Sequence, residues 1–113
     1  MKIATDIEQS KKLVELGIDT STADMSWYQP NIMYPYELHT KYKGHGVMTD
    51  GSDSLIPAWS LSALMSAIPF LTLIRDEEGW YGECENGTIV SWNIEAIDTC
   101  YEMIIKLHEQ KIL

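Results

Sequence analysis

The sequence predicts an α+β fold with helices packed on one face of an antiparallel sheet, in the order α, irregular or β, α, β-β-β, α. Three observations predict it. Phe70–Trp92 reads as three short strands, because Asn86-Gly87 suits a type I′ hairpin turn and Asp76-Glu77-Glu78-Gly79 suits another tight connection. Helical periodicity with capping residues marks both ends of the chain. Between them, Pro57 and Pro69 bracket a run of small and aliphatic residues at helical spacing.

The first helix is expected from about Ile7 to Leu16, with Thr5 and Glu8 at capping-box spacing. Ile7, Leu13, Val14 and Leu16 give it an apolar face, while Lys11, Lys12 and Glu15 face water. Gly17 sits where a left-handed C-terminal cap belongs, and Ile18 can fold back on the last turn. Asp19 to Asp53 is less regular, holding Pro30, Pro35, Gly44, Gly46 and Gly51. Short extended pieces are expected around Met25–Tyr28 and Ile32–Tyr36, pairing as an edge hairpin. A short core helix follows from about Ser60 to Ala67, with Ser60 as N-cap. The last helix is expected from about Ile94 to Glu109, capped by Asn93, with Glu102 and Lys106 as an exposed pair four apart.

The strand region can be registered. Glu83 should face Val90 and Tyr81 should face Trp92, with Arg75 opposite Trp80 and Gly79 in a left-handed conformation. One sheet face then collects Leu71, Leu73, Gly82, Cys84 and Ile89, the natural core side. The other collects Thr72, Ile74, Tyr81, Glu83, Glu85, Thr88, Val90 and Trp92.

Composition bounds the rest. A chain of 113 residues, 45% of them apolar, is expected to form a single domain with a real core. No run approaches the roughly 20 apolar residues of a membrane helix, and no basic-then-apolar leader opens the chain. A cytoplasmic protein with no membrane partner is the expectation. A net charge of −9 with only eight Lys and Arg argues against nonspecific nucleic-acid binding. Cys84 and Cys100 read as buried structural thiols.

Three stretches carry a resemblance: Thr5-Asp6-Ile7-Glu8-Gln9-Ser10-Lys11-Lys12-Leu13-Val14-Glu15-Leu16-Gly17-Ile18, Thr22-Ala23-Asp24-Met25, and Ile56-Pro57-Ala58-Trp59-Ser60-Leu61-Ser62-Ala63-Leu64. Together they resemble a family of small uncharacterised proteins of gut bacteria and their prophages. In that family a strand-rich part and a C-terminal helix follow the tryptophan motif. The resemblance implies no activity, cofactor or catalytic residue for this chain, and Pro30–Gly51 departs from the family pattern.

Candidate sites are few. His39 and His45 would need Asp50 or Asp53 to hold a metal, their spacing fits no zinc pattern, and Lys41 and Lys43 oppose a cation. A solvated polar loop is the preferred reading of that stretch, with an anion site next. Asp76, Glu77, Glu78, Glu83 and Glu85 form the densest acidic patch, but on a turn and a wet strand face they stay ionised. Ser60 and Ser62 lack the glycines of a nucleophile elbow, so no catalytic residue, metal or cofactor is assigned. Trp59 reads as a core anchor that could also wall a pocket.

Ile74, Tyr81, Val90 and Trp92 are the candidate partner-binding set, an aromatic and aliphatic patch rimmed by Glu83 and Thr72. The competing reading is that Asp19–Asp53 covers the patch from within. The expected function is a noncatalytic protein-interaction module of prophage or mobile-element origin, binding a protein partner or its own copy. An acidic decoy of a nucleic-acid-binding protein and a small-ligand-binding domain are the alternatives.

Overall fold

The computed structural model describes residues 2–40 and 54–112. It is an α+β fold whose described strands form two antiparallel three-stranded sheets, where the sequence suggested one. The elements run α1 (Ile7–Glu15), β1 (Met25–Gln29), β2 (Glu37–His39), β3 (Ser54–Ala58), α2 (Leu61–Ala67), β4 (Thr72–Arg75), β5 (Trp80–Cys84), β6 (Ile89–Asn93) and α3 (Ala96–Glu109). Sheet orders are β2-β1-β3 and β4-β5-β6.

α1 starts one residue later than the Thr5 cap would place it. Asp6 is the N-cap and forms a capping box with Gln9, because Thr5 is committed elsewhere. The Thr5 hydroxyl accepts from the Trp59 backbone N–H at 3.1 Å and meets the Ser10 hydroxyl at 2.8 Å. Its N–H donates to the Trp59 carbonyl at 2.9 Å, and its carbonyl accepts from the Trp27 indole at 2.8 Å. The predicted apolar face narrows accordingly: Leu13 is buried beside Ser10, whereas Val14 is exposed. At the other end the glycine cap is as expected. Gly17 has φ +87°, its N–H reaches the Val14 carbonyl, and the Ile18 N–H reaches the Leu13 carbonyl.

The expected edge hairpin exists with its second strand displaced. β1 pairs with Glu37–His39 rather than Ile32–Tyr36, because Asn31 closes a turn by accepting from the Met33 N–H and from the Tyr34 N–H. β3 was not expected as a strand. It pairs with β1 so that Ser26 faces Pro57, and an edge position suits a residue with no N–H to donate. α2 then begins at Ser60, whose hydroxyl accepts from the Ala63 N–H at 3.2 Å, as its capping role requires.

In the second sheet the predicted register holds: Arg75 faces Trp80, Tyr81 faces Trp92 and Glu83 faces Val90. Its inner face packs on α3, and α2 packs on α3 in turn. Leu13, Trp59, Leu64, Ile97, Cys100, Met103, Ile104 and Leu107 anchor this core. Gly82 lets the helix approach, since a Cβ there would lie 2.5 Å from the Met103 sulfur. A smaller cluster of Ala4, Met25 and Ala58 lies beneath the first sheet, with Trp27 and Leu38 against it.

α3 starts at Ala96, two residues later than the Asn93 cap predicts. The Asn93 amide instead donates to Glu102 at 2.8 Å, and the Lys106 ammonium reaches the Val90 carbonyl. The expected Glu102–Lys106 pair is therefore replaced by two ties from α3 to β6. Both cysteines are free and buried, and burial pushes the Cys100 thiol up to about 11.

Candidate functional site

The outer face of the β4-β5-β6 sheet is built by strand alternation. Leu73, Gly82, Cys84, Ile89 and Ser91 point toward α3, so their neighbours must point away. Register then sets two rows across the three strands. Ile74, Tyr81 and Trp92 form one, and Thr72, Glu83 and Val90 form the other. All four predicted partner-binding residues thus share one surface. Ile74 is 50% exposed, Trp92 45% and Val90 36%, while Tyr81 is half-buried between its neighbours. The described part of the Asp19–Asp53 segment forms β1, β2 and the loop between them in the first sheet and leaves Ile74 and Trp92 exposed.

The Trp92 ring is held in place. Its indole N–H donates to Asp76 Oδ2 at 2.7 Å, while Asp76 Oδ1 accepts from the Glu78 and Gly79 N–H groups at 2.8 and 2.7 Å. These donors, the Glu78 N–H first, hold the Asp76 carboxyl below the usual range. Gly79 serves the site differently from the left-handed role expected of it. Its φ is ordinary, and a Cβ would fall 2.8 Å from Trp92 Cζ2 and 2.4 Å from the Asn93 carbonyl. The glycine is there so that the indole can lie against the turn. In the middle of the sheet the Tyr81 hydroxyl donates to Glu83 at 3.0 Å, and that bond pushes the phenol up.

Charge is arranged around this row. Asp76, Glu77 and Glu78 occupy the turn beside Trp92, and Glu83 and Glu85 lie toward the opposite end. The second turn is a 3-10 turn with Glu85 at φ +54° and Gly87 at φ +84°, a longer connection than the two-residue loop expected. Arg75 belongs to the other face, its guanidinium carbon 5.8 Å from the centre of the Trp80 ring.

Two features escaped sequence reasoning. Asp76 read as one acid among several, although the Asp-x-x-Gly spacing is the signal of a side chain closing its own turn. Phe70, 91% exposed at φ +54° just before β4, carries no sequence signal beyond following Pro69.

The other candidate positions do not converge. His39 stacks edge-on against Tyr28 and approaches Glu37 at 3.4 Å, while His45, Asp50 and Asp53 lie outside the described residues. Among the described residues no group of three His, Cys, Asp or Glu is placed to hold a metal. Trp59 is a core residue, 1% exposed, with its indole N–H on the Thr22 hydroxyl at 2.9 Å. A cleft of about 350 Å³ lies nearby, lined by Thr22, Asp24, Ser62, Ala63, Ser66 and Ala67. Its polar groups serve the fold: Asp24 accepts from the Ser60 N–H and hydroxyl, and Ser66 donates to the Ser62 carbonyl. No described helix is long and apolar enough to cross a membrane.

Comparison with known proteins produced no match: no family model, curated protein or solved structure is significantly similar to this chain.

Proposed function

We propose that this protein is a noncatalytic interaction module that binds a protein partner through the outer face of the β4-β5-β6 sheet. The observation that carries this reading is the Ile74–Tyr81–Trp92 row, with Val90 beside it, on the face of the sheet turned away from α3. Exposed aromatic and aliphatic side chains gathered on a rigid, polar-rimmed surface are the composition of a binding patch. The indole pinned by Asp76 adds pre-organisation, so little side-chain freedom is lost when a partner covers it. A mobile-element setting is part of the same proposal, and its support is the likeness of the Thr5–Ile18, Thr22–Met25 and Ile56–Leu64 stretches to motifs of small gut-bacterial and prophage proteins.

The test is quantitative capture of interacting proteins, with light scattering at two concentrations and two salt strengths. Tyr81→Ala and Trp92→Ala should remove the same bound species, or the same self-association, while the fold is retained. Unchanged capture and unchanged size in both variants would sink the reading.

A further inference from the structure

The geometry points to β4 as a docking edge for an extended, cationic segment of a partner protein, which would join the second sheet as a fourth strand. This rests on the outer-face reading above and names the occupant's chemistry.

The edge can be located from hydrogen-bond alternation. The Lys106 ammonium donates to the Val90 carbonyl, so Val90 directs its backbone polar groups away from β5. Glu83, its partner across the ladder, then turns its own N–H and C=O toward β4, where it meets Thr72. The Asp76 N–H, bonded to the Gly79 carbonyl at 2.9 Å, confirms that parity at the turn. Leu73 and Arg75 therefore present their N–H and C=O groups outward along β4, the terminal strand of its sheet. The opposite edge differs, because Lys106 already occupies the Val90 carbonyl there.

Charge selects the occupant. Ile74 stands on the outer face next to this edge, with the Asp76-Glu77-Glu78 turn at one end and Glu83 and Glu85 toward the other. Among the described residues no Lys or Arg lies in the two outer-face rows. A segment with basic residues at its ends and an apolar residue between them matches that pattern, with main-chain bonds supplying affinity and side chains specificity. A second copy of this chain fits it poorly, since each copy carries a net charge of −9.

Selection of random displayed dodecapeptides against the intact protein tests this. Enriched sequences should place Lys or Arg on both sides of alternating β-branched or aromatic residues. Arg75→Pro removes the outward N–H along with the guanidinium and should weaken the selected peptides by about tenfold or more, while Arg75→Ala, which removes the guanidinium alone, changes binding by less than about twofold. N-methylation of alternate peptide amides should cause the same loss with the unaltered protein, which covers the case of a poorly folded Arg75→Pro. No enrichment, enrichment without basic residues, or indifference to Arg75→Pro and to N-methylation would each overturn the inference. A dimer of the protein that Arg75→Pro dissolves would overturn it too, by making a second copy the occupant. Peptides lost on Trp92→Ala yet indifferent to the edge changes would leave the outer-face reading standing and remove the edge alone.

Discussion

Thr5 shows how much one small side chain can hold. It is buried, and its N–H, hydroxyl and carbonyl all find partners on Trp59, Ser10 and Trp27. Thr5→Val keeps the shape but takes the acceptor from the Trp59 N–H and leaves the Ser10 hydroxyl with only the Thr5 carbonyl at 3.5 Å. Urea unfolding should show a loss of about 1–3 kcal/mol, the usual penalty for an orphaned buried polar group. Gly82→Ala tests the opposite failure. Its methyl would meet the Met103 sulfur at 2.5 Å and Thr99 Cγ2 at 3.1 Å, so overpacking should cost about 1–3 kcal/mol in the same assay. Neither role could be read beforehand. A threonine before a helix resembles a cap, and only the tertiary position of Trp59 shows that its hydroxyl is already taken. Ile74, Tyr81, Val90 and Trp92 were legible because strand alternation needs only the register, which the two turns supplied.

Among the elements, α1 owes its ends to local chemistry, and a charged bridge supplements the burial of Leu13 in its docking. Gly17→Ala should lower the melting temperature, costing about 1 kcal/mol, because φ +87° is unfavourable for any side chain while nothing stands within 4 Å to be displaced. At the other end, Lys2 bridges Asp6 at 3.1 Å and Asp98 at 2.6 Å, tying α1 to α3. Burial alone would raise the Asp6 carboxyl, but the Gln9 N–H and the Lys2 ammonium outweigh it and hold the group below its ordinary value of 3.8. A carboxyl depressed in the folded state contributes stability above its unfolded pKa and loses it as the pH falls through the folded one. Stability should therefore drop as the pH falls below about 4, and Asp6→Asn should flatten that part of the profile in thermal unfolding at stepped pH. The element boundaries that sequence reading missed have a common cause. Asn93 and Glu102 look like a cap and half of an exposed pair until β6 is laid beside α3, where both turn to cross-element bonds. β3 hid for a similar reason, since Ser54–Ala58 holds a proline and pairs with a strand nearly thirty residues upstream.

At the scale of the whole molecule, the side chains of one sheet divide the work. The inner face of β4-β5-β6 is packed against α3, while the outer face leaves Ile74, Val90 and Trp92 exposed. Trp92→Ala and Ile74→Ser should therefore shift stability far less than Gly82→Ala, by about 0.5 kcal/mol or less for Ile74, while reducing partner binding. Comparing unfolding and binding on the same variants separates the two roles; a large loss of stability from Ile74→Ser would show that the face is structural. The long tie between Thr5 and Trp59 has a consequence for how the chain comes to fold. Its two ends are 54 residues apart in sequence, so their closure sacrifices far more chain entropy than the turns on either side. During synthesis α1 emerges with its caps complete, yet the residue that locks it in place has not been made. Until Trp59 leaves the ribosome, the N-terminal helix can only flicker in and out of order, and its docking should be a late, slow event in refolding kinetics.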